Sequence, residues 1–228
     1  VKCGNYSSQL SNVFMNTTSK NTESNVKATV KTSVHSNSVE SDVVLATKQW
    51  LEEIIIGLNF CPFAKKEFVN NTICYFESET EQVKPALHEL IEQCRYLQAH
   101  DELETTLIIY NNGFRSFERY LDLVEYGNDL LVDSGFEGIF QLASMHPEYC
   151  FADEDFDDAS NFTNRSPFPI IHIIREASMA RVLSVYSNPE QIPDNNIALA
   201  HAKGANFFQE VLKRIHQQSS SPLSTDHK

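Results

Sequence analysis

Six consecutive residues, Thr105-Thr-Leu-Ile-Ile-Tyr110, are β-branched or apolar without a break, and they end on Asn111-Asn112-Gly113. A run this short, apolar at every position and closed by a turn signal, reads as a strand covered on both faces. Such a strand needs a layer on each side, and neighbouring segments are patterned to supply them. Residues 79–98 place Val83, Leu87, Leu90, Ile91, Cys94 and Leu97 on one helical face, and Phe117, Tyr120, Leu121, Val124 and Leu131 mark a second helix. Residues 71–76 and 138–144 read as further strands. The alternation of strand and helix predicts an α/β fold (α+β is the alternative) with a small, at least partly parallel sheet and flanking helices.

The segments outside this unit are also patterned. Ser41-Asp42 can cap a helix that carries Val43, Ala46, Trp50, Leu51, Ile54, Ile55 and Leu58. Ser166-Pro167 looks like an N-cap and a first-turn proline, followed by Ile170, Ile171, Ile173 and Ile174, so a helix is expected there too. Another is expected over residues 193–216, giving a helical C-terminal third. Residues 1–40 are rich in Ser, Thr and Asn and bury too little apolar surface to offset their ordering entropy, so they are expected to be a disordered tail. Their basic, acid-poor character is also compatible with an organelle transit segment. Residues 41–216 are expected to form one globular domain, and residues 217–228 a frayed tail.

The net charge of −13 lies outside the first 40 residues, where Lys2, Lys20, Lys27 and Lys31 outnumber Glu23 and Glu40. So acidic a surface repels nucleic-acid backbones and anionic lipid, and no apolar stretch approaches a membrane span, so neither partner is expected. The five cysteines contain no CxxC pair, which disfavours a zinc ribbon or disulfide framework and favours reducing, cytoplasmic conditions, or an organelle if the first 40 residues are a transit segment.

Chemistry concentrates in residues 140–176. His146 closes a predicted strand before Pro147, and His172 falls among isoleucines. If Ser166 opens a helix, Arg165 and Ser166 lie at its N-terminus, and His172 and Arg175 share a face. That arrangement would hold a small anionic ligand between Arg165 and Arg175, with Asn161, Asn164, Ser166 and Glu176 around it and the two histidines exchanging protons. Asp153, Asp155 and Asp157 alternate as a calcium loop begins, but Asp158 and Asn164 stand where such a loop needs Gly and Glu, so a solvated acidic loop is expected and no metal is assigned. A second cluster, Asn59-Phe-Cys-Pro-Phe-Ala64, could place the Cys61 sulfur at a helix N-terminus and favour its thiolate.

These pieces resemble an uncharacterised family, domain-of-unknown-function family 1415. The matching stretches are Trp50, Asn59-Phe-Cys-Pro-Phe-Ala64, Gln141-Leu-Ala-Ser-Met-His-Pro147, Asn161-Phe-Thr-Asn-Arg-Ser-Pro-Phe-Pro169, His172-Ile-Ile-Arg-Glu-Ala-Ser178 and Asn188-Pro-Glu-Gln-Ile-Pro193. The resemblance implies no activity and no cofactor. Three functions therefore remain open: an enzyme acting on a small anionic metabolite, a metal-binding or thiol redox module using Cys61, His146 and His172, and an acidic interaction protein that engages a basic partner.

Overall fold

The computed structural model describes residues 40–185 and 187–219. The expectations for the N-terminal 39 residues and the last nine lie outside these. Ser41 caps α1, its hydroxyl accepting from the Val44 N–H, and α1 (Asp42–Trp50) continues as a π-helical stretch over Leu51–Ile56. Asn59, in the left-handed region at φ 56°, turns the chain into the short α2 (Ala64–Val69). Then follow β1 (Ile73–Ser78), α3 (Val83–Ala99), β2 (Thr105–Tyr110), α4 (Phe117–Asp133) and β3 (Phe140–Met145). A long irregular stretch with one 3-10 turn (Ala159–Thr163) leads to β4 (Ile170–Arg175), α5 (Glu176–Leu183), α6 (Ile192–Lys203) and α7 (Ala205–Ser219).

The sheet order is β1-β2-β4-β3, with β1 and β2 parallel and β4 antiparallel to both of its neighbours. β1, β2 and β3 therefore all end at one edge of the sheet, called the upper edge below, where β4 begins. The fold is α/β with a mixed, partly parallel sheet. β2 is buried at all six positions, as its sequence requires.

Alternation along β2 divides the interior into two cores. Ile108 and Tyr110 join α3 and α4 in the first core, and Leu107 and Ile109 join α1, α6 and α7 in the second. Gly127 lets α4 approach closely: a Cβ there would stand 3.0 Å from Leu90 and 3.2 Å from Leu142. The long C-terminal helix expected over residues 193–216 is two helices, broken at Gly204, whose φ of 78° favours glycine.

The helix expected from Ser166 is not there. Residues 170–175 form β4, paired on both sides. Ile171 and Ile173 enter the first core and Ile170 the second, so three of the four isoleucines fill both faces of one central strand. Continuous burial erased the two-residue period, and the isoleucines came to look helically spaced. His172 and Arg175 consequently point to opposite faces of the sheet.

Candidate functional site

At the upper edge, the chemically dense residues hold one another. His146 is fully buried; its Nε2–H donates to the Phe114 carbonyl at 2.9 Å and its Nδ1 accepts from the Glu148 N–H at 3.0 Å. Both ring nitrogens are engaged, and the ring packs against Phe117 and Tyr120 of α4. Burial pushes its pKa down to about 4, opposed by the hydrogen bond to Phe114. Tyr120 acts beside it as a bridge, its hydroxyl donating to the Ile170 carbonyl at 2.5 Å and accepting from the Met145 N–H at 3.0 Å.

Arg165 is 5% exposed and works in the same way. Its Nε donates to the Tyr149 carbonyl at 3.0 Å and its Nη2 to that of Phe156 at 2.6 Å, while the guanidinium lies between the rings of Phe156 and Phe162, 4.5 and 4.6 Å from their centres. Burial lowers its pKa, offset by Asp157 and Glu148. The buried Asn161 accepts from the Phe151 N–H and donates to the carbonyls of Asp155 and Phe156. Asn164 donates to the Ser144 carbonyl, and the Ser166 hydroxyl to that of Phe168. A long stretch without ladder partners must satisfy its backbone groups with side chains, and these residues do so. The acidic middle is exposed at Asp153, Asp155 and Asp157; Asp158 caps the 3-10 turn and meets His201.

Arg175 lies at the opposite, lower edge. Its guanidinium donates to the carbonyls of Leu103, Leu97 and His100, adding to the His100 N–H that caps the C-terminus of α3. Arg165 and Arg175 thus bracket the sheet rather than one ligand. The following Glu176 has its carboxyl pKa raised by burial and by Glu137.

Cys61 packs against the second core with Phe68 and Tyr75. The N–H groups of Phe63 and Ala64 do reach its sulfur, as the sequence suggested. Burial outweighs them, however, and pushes the thiol pKa up, so the expected thiolate is not favoured. His146 faces the first core, on the other side of the sheet. Among the described residues no three His, Cys, Asp or Glu side chains are grouped as a metal ion would need, which includes the trio Cys61, His146 and His172.

His172 differs from the others. It sits midway along β4, opposite Leu107 on one side and Ala143 on the other. The Thr105 hydroxyl donates to the Ile173 carbonyl at 2.5 Å, so its oxygen can only accept from the His172 ring, whose Nε2 lies 2.5 Å away. The ring is therefore the Nε2–H tautomer, and its Nδ1 keeps a lone pair with no hydrogen-bond partner among the described residues. Burial lowers its pKa to about 4.

On this face the helical layer stops short. Ala143 and Ile174, beside His172, are half-buried and pack against neither core. Gln141, in register with Ile174, faces the same way, and its Nε2 is enclosed without a partner. Thr105 and Gln141 were not legible as site residues from the sequence. Their only signal is a polar residue at an inward position of a strand.

The family model for a protein of unknown function, DUF1415, matches residues 42–210. The chain belongs to that family. No curated protein and no solved structure matches it. Among the described residues no helix is long and apolar enough to cross a membrane.

Proposed function

We propose that the protein is an enzyme that binds a small anionic metabolite against the half-buried part of the sheet face around His172 that neither core packs on. The reading rests on one observation: among the described residues, His172 and Gln141 keep unused hydrogen-bonding capacity on a stretch of sheet face that neither core covers. The Nδ1 lone pair calls for a ligand O–H or N–H, and the Gln141 amide for a carbonyl or carboxylate oxygen. A hydroxy or amino acid offers both groups on adjacent carbons. In this site the imidazole would take the proton from the ligand, with Thr105 fixing its tautomer.

The other residues of the dense run serve in this reading as scaffold. Arg165, Asn161, Asn164, Ser166 and His146 hold the upper edge, and Arg175 the lower.

The test uses the full chain and a panel of hydroxy, keto and amino acids, read by the ring-nitrogen resonances of the histidines. A ligand that moves the His172 Nδ1 resonance supports the site. His172→Gln keeps a donor for Thr105 and removes the base, so it should abolish turnover and leave the melting temperature within a few degrees. A panel that moves no His172 resonance, or full turnover by the variant, refutes it.

A further inference from the structure

A cavity lies against the β1 edge of the sheet, away from His172. β1 is an edge strand, and its Ile73 and Tyr75 side chains border a cavity of about 270 Å³ that is completed by Glu40, Lys48, Phe68 and Asn71. The lining divides by chemistry. Phe68, Ile73 and Tyr75 form an apolar wall, Asn71 adds an amide, and Lys48 and Glu40 bring one charge of each sign. The two charges pair with each other, and the Lys48 ammonium also stands 5.0 Å from the centre of the Tyr75 ring.

We infer that this cavity binds an α-amino acid as its zwitterion. The ammonium of the ligand would replace Lys48 at the Glu40 carboxylate, and the ligand carboxylate would replace Glu40 at Lys48. Its side chain would lie on Phe68, Ile73 and Tyr75. The Lys48–Glu40 pair is part-exposed, and such pairs contribute little, so exchanging it for two ligand contacts costs little. The volume is just below the roughly 300 Å³ at which drug-sized sites begin, which suits a smaller metabolite. An aromatic floor beneath a charged pair gives the site a reason to prefer an apolar side chain on the ligand.

Calorimetric titration of the full chain with single amino acids tests this, with the matching amines and carboxylic acids as controls. Binding should require both charges. Lys48→Met and Glu40→Gln should each weaken it by about two- to fivefold, the range for losing a part-exposed charge contact. Ring resonances of Tyr75 should shift on binding, and those of His172 should not, which separates this site from the one proposed above. Three results would overturn the inference: no amino acid binds, an amine or an acid alone binds as well, or binding survives both substitutions.

Discussion

Replacing Arg165 by methionine separates a scaffolding arginine from a ligand-binding one. Methionine keeps an unbranched, polarizable side chain between the rings of Phe156 and Phe162 but has no donor to offer. The Tyr149 carbonyl then loses this donor, while that of Phe156 keeps the Asn161 amide. The orphaned buried acceptor costs about 1–3 kcal/mol, and loss of the cation over two rings adds about 1 kcal/mol or more. Part is recovered because a buried charge is removed, so a net loss of about 2–3 kcal/mol is expected. For a domain of this size that lowers the melting temperature by roughly 4–12 °C. Scanning calorimetry measures the shift, and amide exchange should localise the loosening to residues 149–165. A variant that melts within about 2 °C of the parent, with those amides still protected, would refute the structural role and return Arg165 to the list of anion-binding candidates.

Two further predictions follow from buried polar groups. His146 and His172 both have folded pKa values of about 4, below the ~6.5 of an unfolded chain, so the native state favours their neutral forms. Their contribution is complete above about pH 6.5 and is lost as pH falls toward 4, which amounts to about 1.5 kcal/mol per histidine between pH 6.5 and 5. Urea midpoints over that interval should fall, and His172→Gln should flatten the slope; an unchanged slope counts against the buried neutral ring. Tyr120→Phe removes the hydroxyl between Ile170 and Met145 and should cost about 2 kcal/mol. Exchange of the Met145 amide should speed up, and if it stays as protected as in the parent, the hydroxyl is not its partner.

Much of the framework was legible in the sequence because each element's pattern agreed with its surroundings. β2 is covered on both faces and is apolar at nearly every position; α3 and α4 are covered on one face and carry one stripe. β4 was not legible, for the same physical reason that β2 was. A central strand filled on both faces has no alternation, and Ser166-Pro167 supplied a false helix start. The better signal was composition, since four isoleucines in five positions favour an extended chain over a helix. The error propagated to the site. A helix there would have stacked His172 on Arg175, whereas a strand sends them to opposite faces. Cys61 shows the limit of local reasoning in another way: its neighbours in sequence favour the thiolate, and the core that covers it, built from distant segments, does not.

The stretches by which the chain resembles its family meet one another in space. The Trp50 indole donates to the Arg165 carbonyl and the His146 N–H to that of Asn164, while Asn196 of α6 donates its amide to the Phe60 carbonyl from just beyond the last of those stretches. Phe60 and Phe162 both stack on Phe208 of α7. Five of the residues that looked most chemical, His146, Asn161, Asn164, Arg165 and Ser166, are thus the joints between the two helical layers and the upper edge of the sheet. Polar density in a sequence marks where backbone groups lack ladder partners as readily as where a ligand binds. The two cases separate only when hydrogen bonds are counted. A structural joint uses its donors and acceptors on the chain itself, and a binding site holds some in reserve. By that criterion the upper edge, apart from the unpartnered Tyr110 hydroxyl, is built for cohesion. The capacity left over at His172 Nδ1 and Gln141 Nε2, and the charges at the mouth of the β1 cavity, are where ligand chemistry should be sought.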